Sequence, residues 1–234
     1  MANSVSKSVQ KKKEKEPKAR TSQFFPFSKL APERSANKEM IRLFTGLCKA
    51  LFKELPDEEI FLEGTDKYGH YDKQSPCCGA SGKLAPHGSC SRGLVYCKDG
   101  KVVATRVEPR RFKCAPCEKT HALLPDIIVP YSPYSLRFML LVLIAYFERE
   151  ETVVAVFERF GIAVSTLYEW KKRLALHKEL MLGLLISQKT PALAFLEGLL
   201  GSARLSHALR DFFSRHAFSF LQRKPAAATR SRPP

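Results

Sequence analysis

Apolar residues recur along this chain with two different periods, and the change of period divides it. Between Asn37 and Leu55, residues Met40, Ile41, Phe44, Leu47, Cys48, Leu51, Phe52 and Leu55 fall mostly at three- and four-residue intervals. That spacing places them on one face and predicts a helix, with Asn37 as its N-cap and Pro56 as its stop. Residues 56–74 are polar and turn-rich and read as a connection. From 75 to 125 the pattern changes to short β-prone runs. Leu94–Cys97 and Val102–Val107 flank Lys98-Asp99-Gly100-Lys101. Asp-Gly between two such runs predicts a tight hairpin, because both central turn residues must accept positive φ. Arg111–Lys113 reads as a further strand leading into Cys114. From Ser132 the helical period returns. Ser132-Pro133 supplies an N-cap and a first-position proline for a helix that runs through the apolar stretch to Arg149. A second helix is expected over Thr152–Phe160, closed by Gly161, and a third from a Ser165 cap to about His177. Residues 178–188, 191–200 and 204–221 read as further apolar helices.

Composition narrows the class. Apolar residues are 44% of 234, enough for a real core, so a collagen-like or wholly disordered chain is excluded. The longest apolar run, Phe138–Ala145 with Tyr146 and Phe147, is about half the ~20 residues of a membrane span. No apolar stretch follows the N-terminal lysines, so a secretory signal is not expected. Lysine and arginine number 39 against 23 acids, a formal charge of +16, which predicts attraction to polyanions. Residues 1–22 carry +5 and residues 223–234 carry +4, leaving +7 for the middle. Both ends are poor in large apolar residues and read as disordered basic arms, suited to non-specific phosphate contact.

Six of the seven cysteines lie between 77 and 117: Cys77, Cys78, Cys90, Cys97, Cys114 and Cys117, with Cys48 apart. An odd count without a secretory signal points to reduced thiols in a cytosolic protein. Cys114-Ala115-Pro116-Cys117 is a C-x-x-C knuckle, which brings two thiolates to one side of a tight turn, as tetrahedral zinc requires. Preceded by a strand and a hairpin, it has the layout of a zinc ribbon. The upstream half reads Ser75-Pro76-Cys77-Cys78-Gly79, with serine where a first cysteine is expected. Cys78 is the ligand by register, and Cys77 is a further candidate. His87, Cys90 and Cys97 are open alternatives for the fourth position. Arg106, Arg110, Arg111, Lys113 and Lys119 would stud the ribbon with positive charge. The competing reading is a ribbon that has lost its metal and keeps small buried cysteines.

Residues 152–177 read as helix, glycine-containing turn, helix. Val153, Val156, Phe157, Ile162, Val164, Leu167 and Leu174 would form the small core between the two helices, with Trp170 as a packing residue. Ser165, Thr166, Tyr168 and Glu169 lie on the first turns of the second helix, where a recognition helix meets base edges in the major groove. Lys171, Lys172 and Arg173 follow and suit phosphates. The fold expected is α+β, mostly α. A basic tail (1–36), an N-terminal helix and linker (37–74) and a zinc-ribbon-like β domain (75–130) come first. A helical domain (131–222) with a helix-turn-helix at 152–177 and a second basic tail (223–234) follow.

The sequence also resembles a family of uncharacterised bacterial proteins, described as a domain of unknown function, that pair a degenerate zinc ribbon with a transposase-like helix-turn-helix. The residues that carry it are Pro76-x-Cys78-Gly79, His87-Gly88, Cys114-x-x-Cys117, Thr120-His121-Ala122-Leu123-Leu124-Pro125, Pro130-Tyr131-Ser132, Phe160-Gly161-Ile162, Ser165-Thr166-Leu167-Tyr168-x-Trp170, His177-Lys178-Glu179-Leu180 and Phe218-Ser219-Phe220-Leu221. The resemblance implies DNA binding linked to mobile elements and assigns no reaction. A cut-and-paste transposase would need three carboxylates holding two metal ions on a mixed sheet. Past the helix-turn-helix the acids are Glu179, Glu197 and Asp211, all in helical pattern, so catalysis is not expected. The expectation is a non-enzymatic, nucleoid-associated protein that binds double-stranded DNA and zinc, alone, as a homodimer or beside a transposase. The alternatives are an RNA- or ribosome-associated ribbon protein, or a protein-interaction module using the C-terminal helices.

Overall fold

The computed structural model describes residues 40–67 and 74–223. Both basic tails and the Asn37 cap lie outside the described residues, except that Arg223 is included. The architecture is α+β and mostly α, as the periodicity implied. In chain order it runs β1 (Ile41–Leu43), α1 (Lys49–Glu54), α2 (Asp57–Lys67), β2 (Leu84–Ser89), β3 (Arg92–Lys98), β4 (Lys101–Val107), β5 (Arg110–Cys114), β6 (Thr120–Pro125), then α3 (Leu136–Glu148), α4 (Val153–Phe160), α5 (Val164–Leu182), α6 (Leu184–Lys189), α7 (Ala192–Leu200) and α8 (Leu205–His216). No described helix is long and apolar enough to cross a membrane.

Two sheets form. One is four-stranded in the order β1-β6-β5-β2, with β1 parallel to β6 and the other pairs antiparallel. The other is the β3–β4 hairpin, paired from Arg92–Val107 to Lys98–Lys101. Its turn is the one the sequence called for. Asp99 has φ 52° and Gly100 φ 72°, the left-handed pair that a two-residue hairpin with native twist demands.

Of the helix expected over 37–55, only α1 forms; the described residues before it begin with a strand. Ile41 and Leu43 are buried with a half-buried Arg42 between them, the alternation of a strand. Gly46, at φ +82°, then breaks the chain before α1 starts, beyond Cys48. The stretch read as a polar connection is instead largely α2. Pro56 precedes it and Asp57, Glu58 and Glu59 fill its first turn, where carboxylates offset the helix dipole. Ile60, Phe61, Gly64 and Thr65 are its buried face.

Two cap assignments also change. Ser132 does not cap α3; its hydroxyl accepts from the backbone N–H of Tyr134. The cap is Ser135, whose hydroxyl accepts from the N–H of Phe138 and donates to the buried carboxylate of Asp57. Likewise α5 starts one residue before Ser165, with Ala163 at the N-cap position and no side-chain cap, and runs on to Leu182. Gly161 closes α4 at φ 60°, as expected, and Thr152 proves to be its N-cap, accepting from the N–H of Ala155.

Burial does not break at residue 130. Ile127, Ile128 and Val129 share one buried cluster with the hairpin, α1 to α5, α7 and α8. A second, small cluster sits under the four-stranded sheet: Ile41, Leu43, Leu84, Phe112, Cys114 and Leu123. The loop after β6 joins the two. Arg42 donates to the carbonyl of Ile128 (2.8 Å), and Arg92 donates to those of Val129 (2.6 Å) and Ser132 (2.7 Å). Burial pulls both guanidinium groups down to about 10, so both stay charged at neutral pH. In the same loop Asp126, 2% exposed, accepts from Thr45 N–H (3.2 Å), Thr45 Oγ1 (2.6 Å) and Ser206 Oγ. Charge-assisted hydrogen bonds of this kind contribute about 1.5–3 kcal/mol each. Asp126→Ala is therefore expected to cost about 4 kcal/mol in urea unfolding, and Ser206→Ala about 2 kcal/mol.

His177 closes the helical end. It is 2% exposed, ringed by Phe212, Phe218 and Phe220, and its Nδ1 accepts from the N–H of Leu221 (2.8 Å). Burial, aided by Arg173 and His216, pulls the imidazole from 6.5 down to about 4. The unfolded chain therefore takes up this proton first as pH falls. The stabilisation is complete above pH 6.5 and is lost on descending to pH 4. Thermal midpoints followed by circular dichroism should fall more steeply over that interval in the wild type than in His177→Gln.

Candidate functional site

Two turns meet at one end of the four-stranded sheet. The first, Ser75 to Ala80, is closed by hydrogen bonds from Ser75 N to Ala80 O (2.9 Å) and Gly79 N to Ser75 O (2.8 Å). The second links β5 to β6 and is closed by Cys114 N to Lys119 O (2.9 Å), while Ala115 N bonds Lys83 O (3.0 Å) just before β2. The backbone of both turns is thus occupied, and their side chains converge.

Cys78, Cys114 and Cys117 come together with their sulfur atoms all within 4.8 Å of one another. Cys78 Sγ and Cys114 Sγ are 3.6 Å apart. A tetrahedral ion with metal–sulfur bonds of about 2.3 Å has edges of about 3.8 Å, so the thiols fit a shared metal ion. Cys114 is buried at the foot of the cluster and Cys78 exposed at its rim. The Cys117 thiol is pulled down to about 6, chiefly by the backbone N–H of Lys119, with the Ser75 hydroxyl, Cys114 and His121 adding to it against desolvation. A thiol so placed gives up its proton readily, which is what metal ligation requires.

The other candidate ligands are elsewhere. Cys77 is half-buried beside Cys78 but outside the cluster, since neighbouring side chains diverge. His87 is exposed on β2. Cys90 Sγ faces the carbonyl of Pro109 at 3.8 Å. Cys97, on β3, packs against the main core, and burial raises its thiol.

Two residues not counted as ligands in the sequence lie against the cluster. Ser75 is 1% exposed, with Oγ 3.7 Å from Cys117 Sγ and 3.3 Å from His121 Nε2. His121 is fully buried on β6. The signal for it was period two: His121 and Leu123 share the inward face of β6, and His121 follows the Cys114-x-x-Cys117 turn by four residues.

The second candidate region is α5. Leu167, Trp170, Leu174 and His177 are its buried face. Trp170 is a packing residue, edge-on to Tyr134 at 4.9 Å. Phe160, rather than Val153 or Val164, completes the core with α4; those two valines are exposed. Ser165, Tyr168, Glu169 and Lys172 face outward, and Thr166 is half-buried. The basic run is divided. Lys171 Nζ donates to Tyr146 OH (3.0 Å) and lies over the rings of Tyr146 and Tyr168. Arg173 reaches the carbonyl of Leu221 (3.5 Å) and pairs with Glu169 (3.7 Å). Only Lys172 of the three is exposed. On β5, Lys113 is exposed, Arg111 is half-buried, and Arg110 pairs with Asp66 at 2.8 Å.

A family model described as a domain of unknown function (DUF6431) matches residues 75–170. The match covers both cysteine turns, the hairpin, α3, α4 and the first turns of α5. No curated protein and no solved structure matches the chain. The thiol cluster makes a direct prediction. A strong chelator should lower the thermal midpoint of metal-loaded protein. Cys78→Ala, Cys114→Ala or Cys117→Ala should each abolish that response and the bound metal, and Cys77→Ala should leave both unchanged.

Proposed function

We propose that the protein is a non-catalytic, double-stranded-DNA-binding factor, associated with or derived from a transposase and acting on the nucleoid. In this reading α4, the Gly161 turn and α5 form a helix-turn-helix, and the thiol cluster is a zinc centre that organises the ribbon beside it. The supporting observation is the division of α5. Its buried side fixes the helix to the domain, while the first turns hold Ser165, Tyr168 and Glu169 outward, where a recognition helix reads base edges. Lys172 then meets a phosphate. Lys171 and Arg173 set the helix in place through Tyr146 and Leu221 rather than touching DNA. Arg110, Arg111 and Lys113 give the ribbon a second basic surface, and the charged ends add non-specific attraction. Zinc suits the centre because it takes thiolate ligands without redox chemistry. The non-catalytic reading draws on Glu179, Glu197 and Asp211, which stand exposed on three separate helices and form no metal-holding group with one another.

The second reading is a protein-interaction module using the C-terminal helices. It draws on Leu184, Leu185 and Ile186, which are 55%, 74% and 59% exposed in succession on α6.

Selection of duplex DNA from a random pool separates the two. The first reading expects an enriched motif. Tyr168→Ala and Glu169→Ala should alter base preference at single positions. Lys172→Ala should weaken all sequences alike and flatten the dependence of log K on log salt by ~0.9. An unenriched pool, with a salt slope indifferent to Lys172, would sink it.

A further inference from the structure

We propose that the hydroxyl oxygen of Ser75 is the fourth ligand of the metal centre and that His121 positions it. This rests on the reading of the thiol cluster as a zinc site, and it replaces a four-thiolate site by one of three sulfurs and one oxygen.

The register sets Ser75 in the place. Ser75-x-x-Cys78 repeats the spacing of Cys114-x-x-Cys117, so each turn offers two side chains to the same point. The distances agree. Ser75 Oγ to Cys117 Sγ, at 3.7 Å, matches the Cys78–Cys114 edge of 3.6 Å. The oxygen thus stands beside Cys117 at the spacing expected between neighbouring corners of a tetrahedral site.

Burial supplies an independent argument. Ser75 and His121 are 1% and 0% exposed beside a cluster otherwise lined by Leu, Ile and Phe side chains. Polar groups so buried need polar partners, and the Ser75 hydroxyl has Cys117 and His121 within reach. The single hydroxyl hydrogen of Ser75 faces Cys117 or His121; once the Cys117 thiolate is committed to a metal, the hydrogen can turn to His121 Nε2, 3.3 Å away, and leave the oxygen lone pairs to the ion. His121 is not itself a corner, since its ring nitrogens do not fall within 4.8 Å of all three sulfurs. It belongs to the outer ring that orients ligands and tunes their donation.

The chemical consequence is a weaker, more exchangeable site. A neutral hydroxyl donates less than a thiolate and leaves one fewer negative charge at the ion. Serine here is then a tuned ligand and not the scar of a lost one.

Zinc K-edge X-ray absorption on the full chain, loaded with one equivalent of zinc, tests this. The wild type should show three sulfurs at about 2.3 Å and one light atom at about 2.0 Å, without the outer-shell scattering of an imidazole. Ser75→Cys should show four sulfurs and hold zinc more tightly in competition with a chelator. Ser75→Ala should bind more weakly. His121→Ala should lose about 10–100-fold in zinc affinity while keeping three sulfurs. Imidazole scattering in the wild type would make His121 the ligand and overturn the proposal. Four sulfurs in the wild type, reduced to three by Cys77→Ser, would overturn it in favour of Cys77. Ser75→Ala with undiminished affinity would overturn it in favour of water. Zinc taken up by Ser75→Cys and refused by the wild type would overturn the role of Ser75 while preserving the cluster as a metal-site framework. Zinc refused by both would overturn the zinc reading as well.

Discussion

The segment between β6 and α3 is built around buried charge, and the rest of the structure hangs from it. Pro125 to Pro130 are all buried, so their carbonyls have no water to turn to. Arg42 and Arg92 answer them from two different sheets, and Asp126 answers the hydroxyls of Thr45 and Ser206 from the same loop. Desolvating such groups consumes much of what their pairing returns, so the net contribution of the network to stability is modest. Its greater effect is on geometry. A hydrophobic core tolerates sliding, whereas a guanidinium that must meet a particular carbonyl does not. The arrangement therefore fixes where the four-stranded sheet sits relative to the helical bundle.

How much of this could be read from the sequence depended on how local each cause was. The β3–β4 turn was legible because Asp99-Gly100 settles it within two residues. The Gly161 stop was legible for the same reason. The strand at Ile41–Leu43 was not, because its partner lies some 80 residues away on β6 and a three-residue strand carries too little alternation to announce itself. Seen without that partner, its apolar residues extend the helical spacing of α1. In α2 the three leading acids looked like a solvated connection, although they also complement a helix N-terminus. Ser132 lies three positions before the true cap of α3, and Ser165 one position past the first residue of α5, shifts that only the backbone could reveal.

The same distinction holds at the thiol cluster. Spacing alone brought out Cys114 and Cys117, and register brought out Cys78. The environment of Ser75 and His121 is a product of the fold, since the two residues are 46 positions apart. The small cluster beneath them has only six buried side chains. An assembly of that size cannot hold two turns in place by burial alone, and a shared ion would supply what the core lacks. The six residues of β6 carry His121 near one end and lead directly into Asp126, so the thiol cluster and the buried charge network share one short, rigid element.

The Asp126 pocket also has a kinetic meaning. Its partners come from Thr45 and Ser206, 81 and 80 residues distant on opposite sides, and the Gly46 N–H meets Ser206 Oγ across 160 residues. Bringing such remote segments together means closing large loops, an entropic loss incurred before any bond forms. The two-residue β3–β4 hairpin bears no such loss. Local pairings such as the hairpin favour fast folding, whereas the carboxylate pocket is a non-local latch whose long loops slow it.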